Sequence, residues 1–481
     1  VTSAPSMMER LRRQMKEFDL VIIGGGPAGI SAATEAARLG ASVAIIDENS
    51  RLGGKVFQHA GIYPVTGSAD KIERRIGDRI LKDFEQVREK VSVYLNTTVW
   101  DFIDKKTVSL YTAKNRGREE KQIIGKKLII VEGAFERVIP FLGWTLPGVF
   151  SIGALNALAK EGILPGERFL VAGSGPLQLV VADHLINAGA TIAGIIDAAS
   201  STETASTAFS SLTSIGTQRL RAGFDHIQNI RKHKIPIYRA HAIAKASGIN
   251  EVEKATIIGV DRSWRPIKGT EKVLTVDTVA YGFGLIPSTT LTRLCGCRHT
   301  YDAHLGYWRV EHSDRMETSI AGVFVAGDGR TIKGYEAAIE EGRVAATEAA
   351  VQLGHIGRGE ADQALASSLK KLKQFRRFGQ IIDAISAIRP GILEILSDDT
   401  IICRCEEVTL GMIASAVADG AVDVNDVKRR TRLGMGHCQG RICGQLINEL
   451  IWKFTGVSKK RAVFTPRIPA KPVPFEALAY T

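Results

Sequence analysis

Residues 19–48, DLVIIGGGPAGISAATEAARLGASVAIIDE, leave the rest of the chain little freedom in what it can fold into. The continuous apolar run from Leu20 to Ile23 predicts a strand buried on both faces, as in a parallel sheet. Glycines break it at its C-terminal end, a helix with small residues toward the sheet follows, and a second apolar run, Val43 to Ile46, ends in Asp47. Gly24 permits the tight turn, Gly26 lets a pyrophosphate approach the backbone, and Gly29 allows close helix packing. The helix N-terminus offers unpaired N–H groups and partial positive charge to phosphates. Asp47 is placed to accept hydrogen bonds from a ribose diol. A glycine triplet alone is a weak signal; in this frame it predicts a dinucleotide-binding βαβ unit.

A near copy, RFLVAGSGPLQLVVADHLINAGATIAGIIDA, begins at Arg168. Gly173 and Gly175 hold its turn and Asp197 ends its second strand, but the third glycine position is Gln178. A side chain there loosens helix packing or crowds the pyrophosphate, so this unit is expected to bind a nucleotide differently or not at all. Between the copies, KKLIIVEGAFERVIPFLGWTLPG reads as a strand leading to Gly133 and Ala134 and then a crossing bounded by Pro and Gly. Later, GVFVAGDG reads as a strand ending in Gly327 and Asp328 before an amphipathic helix. An acid beside a helix N-terminus can bind sugar-alcohol hydroxyls.

At 481 residues the length prior is about three domains. The N-terminal stretch is polar and basic, which argues against a secretory signal, and no apolar run has the length of a membrane span. A net charge of +12 is compatible with nucleic acid, yet no nucleic-acid motif accompanies clusters such as Lys370, Lys371, Lys373, Arg376 and Arg377. The same charge suits phosphate-bearing cofactors, an acidic partner or a negatively charged cluster. Six cysteines, four of them in tight pairs, point to a reducing compartment and to metal or cluster binding more than to disulfides. Cys295 and Cys297, in LCGCRH, read as small buried residues.

Two such units, the second inserted in the first and closed by VFVAGDG, resemble the two-dinucleotide-binding-domain flavoproteins of glutathione-reductase-like fold. The resemblance implies FAD in the first unit, held by Gly24, Gly26, Pro27, Ala28, Asp47, Glu48, Gly54, Lys55, the backbone at Val99, Gly133, Ala134, Gly327 and Asp328. A second nucleotide, NAD or ATP, would use Gly173, Gly175 and Asp197. Disulfide reductases of this fold carry a cysteine pair after the "GG"; LGGKVFQHAGIY has none, so disulfide exchange is not expected.

The remaining cysteines are spaced C-x-C (Cys403, Cys405), thirty-two residues, then C-x4-C (Cys438, Cys443). Four thiolates can hold zinc or a [2Fe–2S] cluster. C-x-C is tight for two ligands on one tetrahedral zinc, and Lys428, Arg429, Arg430, Arg432 and Arg441 suit a cluster whose net charge is about −2. The pattern resembles the small helical domain of bacterioferritin-associated ferredoxin. Zinc and unliganded thiols stand as alternatives.

Taken with IPFLGWTLPGVFS, GFGLIPST and FTPRIPAKPVPFEALA, the chain resembles the FAD-dependent alpha (B) subunit of dye-linked amino-acid and opine dehydrogenases. That group includes opine, D-hydroxyproline and L-proline dehydrogenases and hydrogen cyanide synthase. The resemblance implies a smaller amino-acid-oxidase-like flavoprotein (beta) subunit that carries the C–N oxidation. It also implies, in relatives, a small ferredoxin-like (gamma) subunit, FMN at a subunit interface, and a respiratory or dye acceptor. No catalytic residue is assignable in this chain. The expected organisation is a basic N-terminal extension (1–16), an α/β FAD domain (17–145 and 283–352) and an inserted second nucleotide domain (146–282). A helical connector (353–400), the small helical [2Fe–2S] domain (401–456) and a Pro-rich extended tail (457–481) follow. A cytoplasmic place, peripheral on the membrane face, is expected, with neither a transmembrane segment nor nucleic acid. The competing functions are a self-contained NAD(P)H oxidoreductase, with Asp197 favouring NAD, and a nucleotide-binding scaffold with a zinc-stapled tail. The prolines of the tail suggest an arm lying on a neighbouring subunit.

Overall fold

In the computed structural model, residues 15–57, 68–113, 121–200, 217–456 and 462–478 are described. The expected N-terminal extension, apart from its last two residues, lies outside them. The first sheet is parallel in the order Val91–Tyr94, Val43–Ile46, Lys16–Ile23, Gln122–Ile130, Val323–Val325. Its central strand is covered on both faces, and so Leu20 to Ile23 are all buried. The antiparallel strands Thr97–Phe102 and Thr107–Thr112 continue from Gln122–Ile130 as a meander. Helices Pro27–Arg38 and Tyr335–Leu353 cross almost in backbone contact: a Cβ on Gly342 would lie 2.1 Å from the Ala28 carbonyl oxygen. Alanines on both helices fill the seam.

The chain leaves this unit through Ala134–Glu136 and returns through Leu285–Pro287, and the two crossing strands pair antiparallel. Between them lies the second sheet, parallel in the order Ile237–Arg239, Thr191–Asp197, Arg168–Gly173, Thr278–Gly282, Val149–Ser151, with an antiparallel meander of its own. Val138, Phe141 and Trp144 already pack in the second core, ahead of the 145/146 boundary expected from sequence. The fold is thus two Rossmann-like units, the second inserted in the first.

The connector helix Arg358–Ser386 buries Leu365 and Leu372 in the first core, which leaves much of its basic face to solvent. A short 3-10 helix, Pro390–Ile395, then leads to the hairpin Ile401–Cys403/Val408–Thr409 and helices Leu410–Ala418, Val424–Thr431 and Ile447–Thr455. Thr409 and Asp423 cap the first two of these helices by accepting backbone N–H bonds. This small domain is not a free bead. Its core residues, Ile402, Ile413, Val427 and Leu450 among them, form one cluster with Ala198, Ala242, Trp264 and Phe283 of the second unit. Among the described residues no helix is long and apolar enough to cross a membrane.

Candidate cofactor sites

The first glycine turn is a cradle that tolerates no side chains at two points. A Cβ on Gly24 (φ +115) would sit 2.3 Å from the Val131 carbonyl oxygen, and one on Gly29 1.9 Å from that of Gly24. Gly26 differs: its nearest neighbour would be 3.9 Å away, at Gly54. It faces open space at the start of a twelve-residue helix that no side chain caps. That combination of an uncapped helix N-terminus and a bare backbone suits a pyrophosphate. Gly54 (φ +60) stacks its turn on Gly26, and Gly327 (φ +69) approaches Ala28, where a Cβ would be 3.1 Å from the alanine methyl. Gly24, Gly26, Pro27, Ala28, Gly54, Gly327 and Asp328 therefore converge at one end of the sheet. Gly133 (φ +73) adjoins Gly329 with nothing in front of it. Ala134 begins the crossing strand, Val99 is buried in the meander, and Lys55 is exposed within electrostatic reach of Glu136.

Asp47 stands where the motif requires, but its carboxylate serves the turn itself. It accepts from Gly25 N–H at 2.5 Å and from Asn49 N and Nδ2 at 2.7 and 2.8 Å. The next residue, Glu48, is exposed and ion-paired with Lys471. Asp328 is enclosed by protein yet open toward the groove; burial pushes its carboxyl up to about 6, and the neighbouring Glu341 adds to the rise. Glu341 gave no sequence signal, being one acid in an ordinary helix. In the fold it is buried, accepts Gly327 N–H at 2.9 Å and pairs with Arg330.

The second unit repeats the strand–turn–helix plan and changes both the turn and its surroundings. Gly173 (φ +145) is again indispensable, with a Cβ 1.8 Å from the Gly282 carbonyl oxygen, but Gly175 has positive φ (+92) where its counterpart Gly26 has φ −75. Gln178 folds inward, 2% exposed, and its Oε1 has no hydrogen-bond partner among the described residues. Asp197 is paired with Arg239 at 3.0 Å and accepts Ala199 N–H at 3.0 Å. Ligands of open α/β sheets bind outside the carboxyl ends of the strands. Here that region, at Ala172, Gly173, Tyr281 and Phe283, is roofed by Ile392 and Ile395 of the connector.

The four cysteines meet as two pairs. Hydrogen bonding to Cys443, with backbone N–H groups in support, holds Cys403 down to about 6, while the same contact and burial push Cys443 up. Cys405 meets Cys438, and burial raises its thiol. Cys403 and Cys443 are buried; Cys405 and Cys438 are part-exposed. Among the described residues no group of three or more Cys, His, Asp or Glu side chains is gathered to hold a single ion. Two pairs side by side suit two irons with two thiolates each better than one tetrahedral zinc.

The described part of the tail, 462–478, is extended, as the prolines imply, and contacts the body of its own chain. Phe464 sits on Gly434, Gly440 and Gly444 of the cysteine loop. Ala470 N–H donates to the Trp100 carbonyl at 2.8 Å, and Arg441, between two cysteines, donates to the Ala470 carbonyl at 3.2 Å. The prolines announced an extended segment; nothing local announced where it would lie. Cys295 and Cys297 are buried in the first unit's core.

Comparison with known proteins agrees with this anatomy. Residues 18–352 match the pyridine nucleotide-disulphide oxidoreductase family and residues 401–453 the BFD-like [2Fe-2S] binding domain. Hydrogen cyanide synthase subunit HcnB of Pseudomonas aeruginosa is 33% identical over 95% of this chain and 97% of its own. An opine oxidase subunit of Rhizobium meliloti is 32% identical over 95% and 98%. The crystal structure of L-proline dehydrogenase from P. horikoshii superimposes with a TM-score of 0.68 at 21% identity, covering 97% of this chain and 80% of that one. The chain therefore belongs to the family of FAD-dependent oxidoreductase subunits, with two dinucleotide-binding domains and a C-terminal BFD-like [2Fe–2S] domain, that includes HcnB and its opine oxidase counterpart.

Proposed function

We propose that this chain is the electron-transferring subunit of a multi-subunit dye-linked dehydrogenase that oxidises the C–N bond of an amino acid, imino acid or opine. The observation that carries the reading is the roof over the second unit. In a self-contained NAD(P)H oxidoreductase that crevice must admit a nicotinamide; here Ile392 and Ile395 lie across it, and the cluster domain is built onto the same edge. The unit serves as the seat of the cluster domain, and electrons enter from a partner.

FAD, when bound, would accept two electrons, and a [2Fe–2S] cluster would carry them one at a time. The chain's own residues bind and orient. The helix at Pro27 and the bare backbone at Gly26 take the pyrophosphate, Glu48 and Asp328 take hydroxyls at the ribose and ribityl positions, and the four cysteines hold the irons. Lys428, Arg430 and Arg441 offset the negative charge gathered at the thiolates. The substrate chemistry belongs to a smaller amino-acid-oxidase-like flavoprotein partner, by analogy with the relatives named as subunits of opine oxidase and hydrogen cyanide synthase. A small ferredoxin-like subunit, an interfacial FMN, ATP in the second unit and a respiratory acceptor at the cytoplasmic membrane face complete the proposed assembly.

Anaerobic mixing tests it. The complex isolated with its partners should bleach its flavin with proline, hydroxyproline or an opine and stay coloured with NADH. Rapid bleaching of this chain alone by NADH would overturn the proposal.

A further inference from the structure

The tail connects two sites that the domain plan keeps apart. At one end, Ala462 is held by Asn448, with bonds of 2.9 and 3.2 Å, and Asn425 clasps Val463 and Thr465 at 3.3 and 3.1 Å. Between these clamps the Phe464 ring fills a seat left by three glycines: a Cβ on Gly434, Gly440 or Gly444 would come within 2.7, 2.4 or 3.0 Å of it. Lys428 lies 5.2 Å over the same ring. Gly440 and Gly444 belong to the loop that carries Cys438 and Cys443, so this ring braces the ligand loop directly.

Six residues on, the tail reaches the other cofactor site. Ala470 is buried in the first unit's core and bonds the backbone of Trp100, next to Val99. Lys471 pairs with Glu48, the acid left free at the ribose position because Asp47 is spent on Gly25 and Asn49. It occupies one carboxylate oxygen, Oε2, and leaves the other for a diol. Arg441 closes the circuit, donating both to the Cys438 carbonyl and to the Ala470 carbonyl at 3.2 Å. The charges of Lys471 and Arg441 both bear on Glu132, a buried carboxyl one residue before Gly133.

We propose that residues 462–474 are a strap coupling FAD retention to the integrity of the cluster site, with Phe464 as its anchor on the cysteine loop and Lys471 as a positioning residue at the adenosine end. The segment has little regular structure of its own, so its order derives from these contacts. Releasing either end frees backbone that the other end needs held. Such coupling is reciprocal: a stabiliser of one site stabilises the other. The inference rests on the two cofactors assigned above and adds that they are not independent.

The test uses the full-length protein, in its complex where partners co-purify, with both cofactors present by visible absorption. FAD release is followed by the fluorescence of freed flavin, and iron loss by bipyridine. Lys471→Glu places like charges at Glu48 and should speed FAD release about fivefold; it should also speed iron loss, although it touches no cysteine. Phe464→Ala should speed iron loss and also FAD release. Lys471→Glu is a half-exposed change that leaves the small domain's core intact, so it decides alone if Phe464→Ala fails to fold. Variants that each disturb only their own site, or a Lys471→Glu protein with both rates unchanged, would overturn the strap. A colourless parent protein would overturn the cofactor assignment along with it.

Discussion

The two nucleotide units share a strand–turn–helix plan and differ in what stands in front of it. In the first, Gly26 opens onto a groove and the helix packs on the turn without a side chain at Gly29. In the second, a buried glutamine takes the third glycine position, an arginine holds the strand-end acid, and the connector lies over the sheet's end. A glycine turn is therefore a permission, not a site. It becomes a site only when the space outside the carboxyl ends of the strands is kept clear, and in the second unit that space supports another domain.

Exchanging the third-position residues gives the sharpest test. Gly29→Gln forces helix and turn apart where a Cβ has 1.9 Å of room, and should yield flavin-free protein destabilised by about 3 kcal/mol. Gln178→Gly should keep its FAD and cost about 1 kcal/mol, the loss of helix propensity offset by removing an unpartnered buried oxygen. Flavin absorbance and thermal melts measure both; flavin loss from Gln178→Gly would erase the distinction. Next in size is Ile392→Asp, which puts a charge beneath the roof at a position 1% exposed. The cluster domain should come loose, seen as rapid iron loss to chelator and new protease cutting near 396, and FAD should leave the first unit faster only through the strap anchored on that domain.

How much of this was readable in advance follows from how local each feature is. The first βαβ unit and the cysteine pairs are short patterns whose chemistry requires adjacent residues, and the fold brings each set together. Gln178 marked the second unit as altered. The reason it is closed was not readable, because Arg239 lies forty-two residues from Asp197 and Ile392 more than two hundred from Gly173. Neither carries a motif. Asp47 shows the opposite limit: the pattern named the right acid for the turn, and only the hydrogen bonds show that its carboxylate is engaged there, with Glu48 exposed beside it.

A smaller effect concerns Asp328. Its folded-state value of about 6 lies above the ordinary carboxylate range, so the flavin-free fold binds this proton more tightly than the unfolded chain does. Stability from this group is present at low pH and is lost as pH rises through about 6. Melting temperatures of flavin-free parent and Asp328→Asn protein, compared from pH 5 to 7.5, should show the parent losing ground by a few degrees. The other raised carboxyls, Glu35, Asp101, Glu132, Glu136 and Asp383, are common to both proteins and cancel. A difference that does not change with pH would place that titration elsewhere.

The smallest expected change separates the two obstacles in the second unit. Arg239→Ala removes a partly exposed ion pair, costing about 0.5 kcal/mol, and takes the guanidinium away from the Asp197 carboxylate. If that pair alone kept NADH out, the variant would acquire NADH-dependent flavin bleaching. The roof predicts otherwise. A nucleotide's ribose sits at the outer end of the strand and its nicotinamide farther in, where Ile392 and Ile395 lie against Phe283. Arg239→Ala should therefore show no flavin bleaching by NADH, and any gain in affinity seen by calorimetric titration should be shared by ATP and NADH, because only their common adenosine half can reach Asp197.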